Sequence, residues 1–147
     1  MGIEVYRDRP IFYSLGSTIF ELETPRFLPE EPYTRYGLGA HAGPADFAET
    51  RYQNDKAGHP SDPMYWKQIV ATCQFDRRKV AQIDLYPLDL GFGKPRSQRG
   101  RPMLADEKLG QEIITRVARL SRKFGTDVRW QEDHGVILFG LFGKDEE

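Results

Sequence analysis

Residues 2–21 leave the chain little choice of local structure: Gly-Ile-Glu-Val-Tyr-Arg-Asp-Arg-Pro-Ile-Phe-Tyr-Ser-Leu-Gly-Ser-Thr-Ile-Phe-Glu. Two short β-rich runs, 3–6 and 11–14, flank the polar group Arg7-Asp8-Arg9-Pro10, the pattern of a hairpin. Gly16 follows where a chain bends sharply without steric cost, and 18–22 can resume a strand. Strands this apolar need cover on both sides. The chain is therefore expected to begin inside a larger sheet.

The next stretch, 23–63, carries Pro25, Pro29, Pro32, Pro44, Pro60 and Pro63 with Gly37, Gly39, Gly43 and Gly58, and predicts a long, mostly irregular excursion. Within it 44–54 is compatible with a short helix, Pro44 taking the first turn where its missing N–H does no harm. Phe27, Tyr33, Tyr36, Phe47 and Tyr52 are expected to pin the excursion to the body of the protein. Beyond it, 65–75 and 79–90 predict a hairpin. Ile69, Ala71, Cys73 and Phe75 share one face at period two, as do Ala81, Ile83 and Leu85, with Asp76-Arg77-Arg78 as the turn. Pro87 places the second strand at an edge or at its end. After a Gly/Pro/Arg loop at 91–102, Asp106 can cap a helix over 107–123. Its stripe is Leu109, Ile113, Val117, Leu120 and Phe124, and Gly125 suits its end. Two short strands, 127–132 and 136–142, follow, with Asp133-His134-Gly135 as their turn. Strands grouped apart from one good helix indicate an α+β chain forming a single domain over 1–147.

Composition excludes several classes. A net charge of −1 gives no nucleic-acid footprint. There is no apolar run of membrane-spanning length and no basic n-region followed by an apolar h-region at the start. The single cysteine, Cys73, can form neither an internal disulfide nor a multi-cysteine zinc site, and its neighbours Ala71 and Phe75 indicate core packing.

Three stretches carry a family resemblance. Gly2-Ile3-Glu4-Val5-Tyr6 followed by Pro10-Ile11-Phe12-Tyr13-Ser14-Leu15-Gly16 is the first. Leu85-Tyr86-Pro87-Leu88-Asp89-Leu90-Gly91-Phe92-Gly93 with Pro95-Arg96-Ser97-Gln98-Arg99-Gly100-Arg101-Pro102 is the second. Ala118-Arg119-Leu120-Ser121 with Phe124-Gly125-Thr126 is the third. In this order, reaching to about residue 138, they resemble the CapA family of poly-γ-glutamate capsule biosynthesis proteins. The resemblance implies the C-terminal part of a metallophosphoesterase-like β-sandwich flanked by helices. It implies a dinuclear, manganese-type metal site in the full-length family, with its Asp, Asn and His motifs upstream of Gly2. This chain would then hold no cofactor of its own and would partner the missing N-terminal half of the same fold. The family is associated with the cell envelope, whereas the chain shows no targeting signal. It also departs from the family at Ser17, where Asn or Asp is usual.

The candidate site residues follow. A metal centre needs several His, Asp or Asn side chains at ~2 Å from each ion. His41, His59 and His134 stand alone in turn-like contexts, with no His-x-His or Asp-x-His, so no metal site is expected within the chain. Lys94, Arg96, Arg99 and Arg101 fall within eight residues. Guanidinium forks bind carboxylates or phosphates bidentately, so this loop can grip poly-γ-glutamate or another polyanion; equally, these arginines can pair with nearby acids. Tyr13, Ser14 and Ser17 mark a strand corner that borders a cleft in the parent fold, or else a plain β corner held by local hydrogen bonds. Glu30, Glu31, Asp46, Glu49, Asp55 and Asp62 show no acid–base spacing. Three functions remain open: a catalytically incomplete CapA-like portion, a polyanion-binding accessory module, and a stand-alone metal-dependent hydrolase.

Overall fold

The computed structural model describes residues 1–14, 16–19 and 25–139. By internal contacts the chain divides into two compact units. The first comprises Met1–Thr18, Gln68–Asp89 and Met103–Glu147; the second comprises Ile19–Lys67 and Leu90–Pro102.

The first unit holds two antiparallel sheets. Strands β1 (Ile3–Tyr6) and β2 (Arg9–Phe12) form a hairpin in the register Ile3↔Phe12 to Tyr6↔Arg9. Its turn is shorter than the sequence predicts. Arg7 and Asp8 are both left-handed (φ 49° and 62°), which closes the loop in two residues and puts Arg9 and Pro10 into the strand. Pro10 is tolerated because each strand of a two-stranded sheet is an edge. The strand expected at 18–22 is not seen in its described part, where Thr18 and Ile19 form a bend; residues 20–22 lie outside the described residues.

The second sheet has five strands in the order β3-β4-β7-β6, with β5 also on β4. They are β3 (Lys67–Asp76), β4 (Lys79–Asp89), β5 (Met103–Leu104), β6 (Arg129–Gln131) and β7 (His134–Leu138). Arg77 and Arg78 make the β3–β4 turn with φ of 43° and 73°, the same two-residue solution as the first hairpin. The two hairpin tips meet. The Val80 N–H donates to the Asp8 carbonyl at 3.0 Å, and the Lys79 ammonium lies 3.2 Å from the Asp8 carboxylate.

One helix of this unit, α3 (Glu107–Ser121), covers the sheet. Asp106 caps it as the sequence predicts, its carboxylate accepting the Leu109 N–H at 2.9 Å. Gly125 follows the short 3-10 turn Arg122–Phe124 at φ 74°. Ile113, Ile114 and Val117 pack on Ile3, Ile69, Ile83, Leu85, Val128 and Ile137. The alternation of β4 explains which face they meet: Ile83 and Leu85 point to the helix, and Gln82, Asp84 and Tyr86 point away. Gly135 lies opposite Leu85 on the helix side, where a Cβ would sit 2.8 Å from Ile114 Cδ1. Ser121 ties the hairpin to the helix, its hydroxyl accepting the Ile3 N–H at 3.0 Å and donating to the Val117 carbonyl at 2.8 Å.

Pro87 is neither at an edge nor at the strand's end. It is fully buried in β4, between the stretch paired with β7 (Gln82–Leu85) and the stretch paired with β5 (Leu88–Asp89), where a ladder donor is not required. Its carbonyl accepts the Ala105 N–H at 3.0 Å. At this level the α+β expectation stands: the described residues form a mixed chain of three helices and two antiparallel sheets.

The second unit is more ordered than its proline and glycine content suggests. It contains α1 (Glu30–Arg35), which the sequence reading missed, and α2 (Pro44–Tyr52), which it anticipated. Pro44 occupies the first turn of α2, and Asp46 accepts the Gly43 N–H at 2.7 Å. Its aromatics build a small core of their own. Tyr33 and Tyr36 set their edges against Phe47 at 6.2 and 5.3 Å, and Tyr52 meets His59 at 4.6 Å. Phe27, expected to act as an anchor, is instead 87% exposed.

Candidate functional site

The basic loop lies in the second unit and is closed by its own backbone. The Gly100 N–H donates to the Leu90 carbonyl at 2.8 Å, and the Leu90 N–H to the Trp66 carbonyl at 2.9 Å. Gly91 permits the closure: its φ is 84°, and a Cβ there would lie 3.3 Å from Arg99 Cα. A 3-10 turn at Arg96–Gln98 then brings Arg96 and Arg99 onto Glu49 of α2 and Asp55 just beyond it.

Arg99 is the more deeply engaged of the two paired arginines. Its Nη1 donates to Asp55 Oδ2 at 2.6 Å and its Nη2 to Asp55 Oδ1 at 3.0 Å, a bidentate fork. Its guanidinium carbon lies 5.3 Å from the centre of the Trp66 ring, and the side chain is 6% exposed. Arg96 donates from Nη1 to Glu49 Oε1 at 3.1 Å, and its Nη2 stands 3.9 Å from Asp55 Oδ1. The Arg99 hydrogen bond holds the Asp55 carboxyl below its ordinary range; burial opposes this, and the Arg99 and Arg96 charges reinforce it. Of the four predicted cations, the structure thus joins Arg96 and Arg99 to acids of the excursion. Lys94 and Arg101 are exposed.

Of the other candidate acids, Asp46, Asp62 and Glu31 serve local structure. Asp46 helps cap α2, Asp62 accepts the Met64 N–H at 2.8 Å, and Glu31 pairs with Arg35 one turn on. At the strand corner the described contacts are local. Tyr13 stacks on Phe124 at 4.5 Å and donates its hydroxyl to Glu4, which raises the phenol's pKa. Ser14 Oγ accepts the Gly16 N–H at 3.3 Å, and Ser17 is exposed.

One polar group in the first unit escaped the sequence reading. His134 is not a turn residue but the first residue of β7, because Glu132, left-handed at φ 55°, closes the β6–β7 hairpin with Asp133. Its Nε2 lies 3.5 Å from Asp84 Oδ1 and its Nδ1 2.8 Å from Asp133 Oδ1, with the Tyr86 ring stacked on it at 5.1 Å. Asp84, 5% exposed, also accepts from Gln82 at 2.6 Å and from Thr72 at 3.4 Å. The alternation Gln82–Asp84–Tyr86 was the available signal. These bonds satisfy a buried carboxylate and orient an imidazole. Cys73 is half-buried, and burial together with the Asp84 charge pushes its thiol pKa up. Among the described residues no three His, Cys, Asp or Glu side chains form a group that can hold a metal ion, and no helix is long and apolar enough to cross a membrane.

The chain is similar to two proteins of Sinorhizobium fredii (strain NBRC 101917 / NGR234), the uncharacterized proteins y4sH and y4uA. Each is 33% identical to it over 146 residues, a match covering 92% of this chain. The chain spans 31% of the length of each of these relatives. No family model matches the chain.

Proposed function

We propose that this chain is the C-terminal portion of a CapA-like protein of capsule or poly-γ-glutamate biosynthesis, with a metallophosphoesterase-like fold. In this reading it contributes sheet strands and a basic loop on the substrate side. The observation that carries the reading is the second resembling stretch, Leu85–Gly93 and Pro95–Pro102. These residues run from the middle of β4 into a closed, arginine-bearing loop whose Lys94 and Arg101 face solvent. The short match to much longer relatives is in keeping with a portion of a larger protein.

The family's metal ions find no matching donor set among the described residues. No chemical step is therefore assigned to this chain; the ions would belong to the rest of the polypeptide. What the loop itself offers is electrostatic: cations on a loop closed by backbone hydrogen bonds, suited to the regularly spaced carboxylates of a polyanion.

The test is a titration of the chain with poly-γ-glutamate at low and moderate salt, beside the variant K94A/R101A. The expected result is binding that weakens with salt and falls at least tenfold in the variant. Equal affinity in the two proteins, or no binding at low salt, would overturn the reading.

A further inference from the structure

We infer that Asp55 is a built-in stand-in for an anionic ligand: its carboxylate occupies an oxyanion site formed by Arg96 and Arg99, from which a ligand's carboxylate or phosphate displaces it. The inference rests on reading the basic loop as anion-binding.

The geometry is that of a loaded site. Both oxygens of Asp55 are taken by the two terminal nitrogens of Arg99, and Arg96 approaches one of the same oxygens at 3.9 Å. Two arginines around one planar carboxylate is the arrangement that carboxylates and phosphates seek in a binding protein.

Burial in the pair is lopsided. The Arg99 side chain is 6% exposed and lies over Trp66, whereas Asp55 is 33% exposed. The acid can swing into water. The guanidinium cannot follow, and it cannot shed its charge. If Asp55 leaves, the buried charge favours another anion in its place. Arg96 has Glu49 as a second partner, so it remains satisfied while the exchange occurs.

The backbone under Asp55 is poised in the same sense. Gln53, Asn54 and Asp55 are three consecutive non-glycine residues in the left-handed region, at φ 50°, 53° and 65°. Such residues persist where surrounding contacts hold them, here the fork with Arg99 among them.

The test uses the whole chain carrying Asp55→Gly. Glycine suits a φ of 65°, so the turn keeps its shape while the fork loses its carboxylate. Asp55→Asn, which keeps the side-chain volume, is the second variant should the first not fold. Poly-γ-glutamate, acetate and inorganic phosphate are the probes, read by titration and by the shift in melting temperature. The expected result is at least tenfold tighter binding of poly-γ-glutamate than in the wild type, with a rise in melting temperature on adding acetate that the wild type lacks. A matching rise with phosphate as well as acetate would mark the site as one for oxyanions in general. If no probe binds more tightly to either variant, Asp55 is a structural partner only and the inference is wrong. If the wild type binds poly-γ-glutamate through Lys94 and Arg101 but the variants gain nothing, the proposed function survives and this inference fails. If acetate or phosphate fills the variant's fork while poly-γ-glutamate binds neither protein, the reverse holds.

Discussion

Arg99 carries its charge into a nearly closed environment, where the Asp55 carboxylate matches it. Truncating it leaves Asp55 without its fork and removes a ring contact on Trp66. Losing charge-assisted hydrogen bonds of this kind costs about 1–3 kcal/mol. R99A should therefore unfold at lower urea, with amide exchange quickening first at residues 53–57 and 90–100. R99K, which keeps the charge but not the fork, should recover less than half of the loss. The same pair sets a pH dependence. The Asp55 pKa is depressed in the folded chain, so the unfolded chain takes up this proton more readily. The stabilisation is complete above the unfolded carboxyl value of about 3.9 and disappears as pH falls through the lower native value. A melting series from pH 6 to pH 2 should show this acid-sensitive component in the wild type and not in D55N. Identical acid profiles would remove Asp55 from the account.

Among the elements, the β4–β7 ladder and α3 meet closely at Gly135. An alanine there drives its Cβ to 2.8 Å from Ile114 Cδ1 and 2.9 Å from Cγ2 of a residue that is 2% exposed. Overpacking of this kind costs about 1–3 kcal/mol and outweighs the roughly 0.5–1 kcal/mol that removing a strand glycine returns. G135A should be less stable than the wild type in urea, and trimming the neighbour in G135A/I114V should restore part of the loss. Equal stability of G135A and wild type would mean that the helix stands further from the sheet. The elements that were legible in the sequence had long-period signals. The β3–β4 hairpin showed a period-two face and a polar turn, and α3 showed a stripe between Asp106 and Gly125. Those that were missed had none. Helix α1 has six residues and buries none of them, and β5 has two. The positions of Pro87 and His134 were misread for one shared reason. Each was assigned from its own propensity, whereas pairing partners and a left-handed Glu132 decide where strands begin and end.

For the molecule as a whole, the candidate site was half legible. The cluster Lys94–Arg101 is plain in the sequence, but the partners of its arginines come from more than forty positions away, Glu49 and Asp55, and no local pattern announces them. The Asp84–His134 pair likewise needs the β4–β7 register before it exists. Long-range pairing of this kind turned a row of cations into a locked fork with two exposed charges beside it. We propose that this chain supplies sheet and loop to a larger protein whose metal centre lies elsewhere. The most direct test is a metal count on the purified chain, dialysed against manganese and freed of unbound metal. The account predicts no stoichiometric manganese on residues 1–147. Two tightly held ions per chain would show that a complete centre is built from these residues, and would contradict it.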